Sequence, residues 1–302
     1  MSLENFIKKF KVPKVAYSFI DKIFTKEEID FADKMDKDIF IKQDVEKIIG
    51  SNADAFIKNS YRRGIISFVD EATSTYKIAD FYSRLDIFAI AEQEVYRSIP
   101  KEDQIAIDAW YFETYYKGLD PNLNLRPTED EILPIDKVLE FIDAQDRPVY
   151  LNYCDCRSLG GDCGKPTKTC ITYRNGINSF VHRGLSEKID KEKVKEIVKN
   201  ADKKGLMHTV NPNGICNCCG DCCYLFRSQA RRDSSGFWPK TRKIIEYDAE
   251  KCIKCGACIR RCHFDVFTKI DESIKTDISK CVGCGICANS CPTKSLELKE
   301  RY

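Results

Sequence analysis

The chain has 302 residues, 43% hydrophobic and 32% charged, with a formal net charge of +2. That is a globular composition long enough for two or three domains, and its near-neutral charge gives no case for a nucleic-acid polyanion as main partner. No run of about 18 apolar residues exists to form a transmembrane helix, and Met1 to Ile23, interrupted by lysines at 8, 9, 11 and 14, has no apolar stretch of a secretory signal.

Residues 1 to about 145 contain no cysteine and read as helical with one hairpin. Thr25 with Glu28 makes a capping box for a helix ending near Met35. Asp44 caps a second helix that Gly50 stops, and Asn52 opens a third that runs to Arg63, with Gly64 past its end. Ile65 to Val69 and Thr75 to Ile78 are β-rich, joined by a turn at 70–74. This order is that of a winged helix. The turn carries Asp70 and Glu71 and no base, so a DNA phosphate there would be repelled. Helical spacing returns over 81–97 and 102–116. The three prolines between 120 and 134 mark a linker, and 135–142 reads as a short helix. The basic, aromatic stretch from Phe6 to Phe24, broken by Pro13, reads as packing against the winged helix.

All 17 cysteines lie from Cys154 onward, about 11% of that stretch and above the ~8–10% of a cysteine-built scaffold. Without a secretory signal, reduced cysteines in a cytoplasmic metalloprotein are expected rather than disulfides. Nine of them fall in two groups, Cys154, Cys156, Cys163 and Cys170, then Cys216, Cys218, Cys219, Cys222 and Cys223. Between the groups a helix begins at an Asp190 N-cap, with Ile189 and Val194 as its hydrophobic staple, and ends at Gly205. Nine metal-ligating cysteines supply eight ligands for two further clusters and one spare; the alternatives are one structural zinc with leftover thiols, or one cluster with redox-active cysteines. The spacing does not say which cysteines group together.

The remaining eight form an internal repeat of period 29. Cys252, Cys255, Cys258 and Cys262 recur as Cys281, Cys284, Cys287 and Cys291, each copy reading Cys-x-x-Cys-x-x-Cys-x-x-x-Cys. Three thiolates spaced by two residues wrap one corner of a cubane, and the fourth reaches the other cluster. One cluster then takes Cys252, Cys255, Cys258 and Cys291, the other Cys281, Cys284, Cys287 and Cys262. Zinc ribbons use pairs of Cys-x-x-Cys, not triplets.

On these motifs, residues 240–302 resemble the bacterial two-[4Fe-4S] ferredoxins. Pro292 follows one fourth cysteine as in that family, while His263 replaces the proline after the other. The middle stretch resembles multi-cluster iron–sulfur proteins of anaerobes, largely without assigned function. It shares with them the Cys-x-Cys-Arg loop at 154–157, Gly-Leu-x-His at 205–208 and Asn-Cys-Cys at 217–219. Cys218-Cys219-Gly220 also resembles a motif of heterodisulfide reductase-type subunits, with flanking spacings that do not match.

The expected fold is α+β, in four parts. A winged-helix-like domain (1–120) precedes a linker with a short helix (121–146), a cysteine-rich iron–sulfur module (147–239) and a ferredoxin-like domain (240–302). The resemblance implies two [4Fe-4S] clusters in the last part, and one or two more are expected in the middle. The expected function is relay of low-potential electrons between redox partner proteins or within an oxidoreductase complex. A reductase with its active site in the nine-cysteine module, and a redox-sensing regulator, are the alternatives. From 240 to 301 the chain carries thirteen Lys and Arg against nine Asp and Glu. With about −2 for each oxidised cluster that part is near neutral, which suits a docked relay. No nucleotide-binding glycine motif occurs, and no catalytic residue or oligomeric state is assigned. Arg157 reads as a donor to a cluster sulfur or a neutraliser of thiolate charge, and His208 as a partner of the preceding helix C-terminus.

Overall fold

The structure, a computed structural model, describes residues 3–122, 128–161 and 163–301. The middle of the expected linker, 123–127, lies outside them. The chain divides into two compact units. One comprises Met1–Lys117, Ser158–Gly160 and Arg174–Glu187; the other comprises Gly118–Arg157, Gly161–Tyr173 and Lys188–Tyr302. The first unit thus draws in two segments that the sequence places inside the cysteine-rich stretch.

In the first unit the capping box of helix Lys26–Lys34 is formed, with Glu28 N–H donating to Thr25 Oγ1 at 3.2 Å and Thr25 N–H to Glu28 Oε2 at 2.8 Å. Helix Lys42–Ile49 starts three residues earlier than Asp44 would cap it, with Ile41 at the N-cap. Asp44 lies in its first turn, and its carboxylate reaches back to the N–H of Ile41 (3.3 Å) and accepts from Lys37 Nζ (2.6 Å). Helix Ala53–Arg63 ends at Gly64, whose φ of +75° favours glycine. The antiparallel hairpin β1 (Ile66–Asp70) and β2 (Thr75–Ile78) follows, and Phe40 bridges to Tyr76.

The helix expected over 81–97 is broken at Glu92 into Phe81–Ala91 and Gln93–Arg97. Glu92 is turned to two arginines, Arg63 (2.6 Å) and the wholly buried Arg84 (2.8 Å). Burial lowers the Arg84 pKa to about 10 despite that carboxylate. A long helix, Lys101–Gly118, completes the set. Phe6, Phe10 and Phe24 are buried and meet with ring centroids 4.9–5.1 Å apart, so the basic aromatic stretch packs inward. Segment 174–187 is fastened to the hairpin. The Asn178 side chain accepts from Phe68 N–H and donates to Phe68 C=O, both at 2.9 Å, and the buried Arg183 donates to Ile66 O and Ser67 Oγ.

The second unit is built on a seven-stranded sheet. Its strands are β3 (Glu131–Leu133), β4 (Val149–Tyr153), β5 (Lys168–Thr172), β6 (Glu187–Ile189), β7 (Met207–Asn211), β8 (Gly214–Cys218) and β9 (Lys240–Thr241), in the spatial order β6-β4-β5-β8-β7-β3-β9. Ile171 pairs with Ile215 and Val210 with Ile215, and these side chains face helices Ile135–Asp143 and Lys191–Lys203. The second helix is capped as expected, Asp190 Oδ1 accepting from Lys193 N–H at 2.8 Å. Side chains alternate along a strand, so Cys170, Cys216 and Cys218 point from the opposite face. Gly214 is obligatory, because a Cβ there would lie 2.3 Å from Ile171 O.

Residues 243–300 add two antiparallel pairs of strands, β10 (Lys243–Tyr247) with β13 (Leu296–Glu300) and the hairpin β11 (Phe267–Ile270) with β12 (Ser273–Thr276). Short helices Ala257–Arg261 and Ile286–Asn289 each follow a left-handed glycine, Gly256 and Gly285. The repeat seen in the sequence is therefore a repeat of structure.

Candidate metal centres

Each copy of the repeat folds its first cysteine back on its own loop. Lys254 N–H donates to Cys252 Sγ at 3.3 Å and Gly283 N–H to Cys281 Sγ at 3.4 Å, and both donor residues have left-handed φ (+59° and +66°). The fourth cysteines cross over. Cys252, Cys255, Cys258 and Cys291 line one pocket, and Cys262, Cys281, Cys284 and Cys287 line another. Each pocket is thus lined by three cysteines of one copy and the fourth cysteine of the other.

The two cavities differ in surroundings. The first is open, with Cys255 exposed and Ile253 beside it 64% exposed. There Cys291 is lowered to about 7, since the Ser295 hydroxyl and N–H outweigh its burial. The second is enclosed, and burial pushes Cys284 up to about 12.

Residues 251–296 match the family model of the 4Fe-4S dicluster domain. A comparison with curated proteins and one with solved structures each found no match. The chain therefore carries an iron–sulfur domain of the [4Fe-4S] class in these residues. All 17 cysteines are free of disulfides, as that chemistry needs.

The nine middle cysteines lie in two neighbourhoods, one of six and one of three. Cys154 follows β4, and Cys156 lies in the short helix Asp155–Gly160. Cys170 lies on β5, Cys216 and Cys218 on β8, and Cys223 at the start of helix Tyr224–Arg232. Their thiols close a ring, 154–156–223–218–216–170 and back to 154, each hydrogen-bonded to its two neighbours. The Cys218–Cys223 contact is 3.4 Å. Around this ring the pKa directions alternate. Cys154, Cys223 and Cys216 fall, Cys216 to about 5, while Cys156, Cys218 and Cys170 rise, each through the two thiols beside it. Six thiols this close together form a ligand set whose protons a metal centre would displace.

The other three, Cys163, Cys219 and Cys222, gather with Asp221. The sequence reading did not single out Asp221. Its signal was its place between two ligand-type cysteines in Cys219-x-Asp-Cys222.

Arg157 is buried and donates to Pro166 O (3.1 Å), Asn217 O (2.6 Å) and Thr169 Oγ1 (2.5 Å). Its charge is held firmly: burial opposes it, but the cysteines around it, Cys154 first, outweigh burial and raise its pKa. It joins the loops that carry the ring and neutralises their charge, rather than donating to a sulfur. His208 does not sit at the helix C-terminus as expected. It is wholly buried on β7, opposite Asn217, its Nδ1 2.7 Å from Asn217 Oδ1 and its Nε2 3.7 Å from Asp202 Oδ1. The C-terminus of helix Lys191–Lys203 is met instead by His263, whose Nε2 lies 2.8 Å from Gly205 O, and by Arg261, which donates to Asp202 O and Lys203 O.

Proposed function

We propose that this protein relays low-potential electrons between redox partner proteins, entering or leaving through the Cys252–Cys291 tetrad and passing by the Cys262–Cys287 tetrad to the six-cysteine ring. When bound, a [4Fe-4S] cluster exchanges one electron at roughly −400 mV in ferredoxin-type sites. Both tetrads offer it four thiolates around a cavity.

The observation that carries the reading is a shared core. Cys218 and Cys223 of the ring and Val282, Ile286 and Cys284 of the second tetrad belong to one hydrophobic cluster with Phe226 and Phe264, whose rings meet at 5.4 Å. That packing keeps water out and holds the two centres to a fixed separation. At the far end, exposed Ile253 gives a partner an apolar contact beside a ligand cysteine. Anaerobic reduction kinetics test the proposal. Cys284→Ser should remove the signal of one reduced tetrad and slow reduction of the ring centre by an added ferredoxin-type donor. Unchanged ring reduction in that variant overturns the relay order.

A reductase is the second reading, favoured by the ring itself. Six thiols at one centre exceed the four that a cubane takes, as suits a centre that must also bind a substrate. A small-molecule ligand that perturbs the EPR spectrum of the ring, but not of the tetrads, would select this reading over the relay.

A further inference from the structure

The group at Cys163, Cys219, Asp221 and Cys222 differs from the other thiol sites in its spacing. Its three sulfurs and one carboxylate oxygen all lie within 4.8 Å of one another. Four ligands about 2.0–2.3 Å from one tetrahedral ion stand roughly 3.3–3.8 Å apart. Thiolates on the corners of a cubane stand much further apart, because the whole cluster lies between them. The protein supplies its own comparison. Among the described residues neither ferredoxin tetrad meets the 4.8 Å spacing, although each lines a pocket of its own. The other set at this spacing, Cys154, Asp155 and Cys156, is three consecutive residues whose two thiols already belong to the ring.

We propose that Cys163, Cys219, Cys222 and Asp221 bind a single zinc ion, separate from the iron–sulfur centres. Cysteine sulfur and carboxylate oxygen are both zinc ligands, and a four-coordinate tetrahedral site is what that ion takes in structural positions. Cys219 and Cys222 are buried against Ala201 and Leu206, while Asp221 is exposed, so the carboxylate is the ligand that faces solvent. The loop is already confined there: a Cβ on Gly220 would stand 2.4 Å from that of His263. The loop between Cys219 and Cys222 lies directly between Cys218 and Cys223, two members of the ring. An ion tying it to Cys163 pins both of them, and the role is structural. The proposal does not depend on electron relay.

Metal analysis of the anaerobically purified full-length protein tests it, with zinc and iron counted separately. The expected result is about one zinc per chain, with a zinc absorption-edge spectrum that fits three sulfurs and one oxygen. Cys163→Ser should lose that zinc while the reduced-tetrad EPR signals persist. Asp221→Asn should keep the fold and give up zinc to a chelator about tenfold faster or more. Should Cys163→Ser fail to fold, the wild-type edge spectrum and the Asn variant decide. Wild-type protein with no zinc, zinc retained in both variants, or Cys163→Ser losing about four iron in place of zinc overturns the proposal.

Discussion

Arg157 is enclosed by the loops that it connects. Two of its partners are backbone carbonyls on either side of the ring, and no other side chain there could replace all three bonds. Arg157→Ala should therefore lower stability by roughly 2–4 kcal/mol in urea unfolding, since it leaves buried acceptors without donors. It should also reduce the iron held by the middle module while leaving the EPR of the tetrads in place. Arg157→Lys keeps the charge but not the fork, and should recover only part of the loss. At this scale the sequence was legible wherever a residue acts on its own neighbours. The Thr25–Glu28 capping box, the Asp190 cap and the glycines after helices could all be read directly. His208 could not, because its partner Asn217 comes from the paired strand. Nor could Asp221, whose meaning depends on Cys163 approaching from another loop.

Among the elements, β5 and β8 do most to set the ring. Their pairing places Ile171 against Ile215 on the helix side, and the alternation sends Cys170, Cys216 and Cys218 to the other. Gly214 permits that approach. Gly214→Ala would push a methyl into Ile171 O, and a loss of at least about 2 kcal/mol is expected. Amide hydrogen exchange at Ile171 and Ile215 should quicken while helix Ala53–Arg63 in the first unit is unaffected. The helices were legible from their period, but this sheet was not. Its strands are short and come from distant parts of the chain, and cysteine in alternate positions disguises the apolar pattern. In the ferredoxin-like part the reverse holds: the four-cysteine spacing is itself a geometric instruction, so both tetrads could be drawn without a structure.

For the molecule as a whole, the cores depend on cysteine to different degrees. The core of residues 243–300 includes Cys281 and Cys287, with Cys252, Cys258, Cys262 and Cys291 packed on it. The core between the sheet and its two helices contains no cysteine, and neither do residues 1–117. Removing iron with chelator and mild oxidant should therefore unfold the chain in part, since the binding energy of a metal centre is folding energy for what surrounds it. Segment-resolved hydrogen exchange should show loss of protection over 243–300 and retention in helix Lys191–Lys203; uniform loss would contradict this. Within the described residues no helix is long and apolar enough to cross a membrane. The attachment of segment 174–187 to the hairpin also bears on how the protein is made. The outer edge of Phe68 is completed only by Asn178, so the first unit stays unfinished until the ribosome has already released Cys154, Cys156, Cys163 and Cys170. Those four thiols then wait for Cys216, on the order of 2–10 s at about 5–20 residues per second. A nascent chain in that interval holds half of a ring, and the ring can be loaded only once Cys223 has followed, onto thiols kept reduced in the meantime.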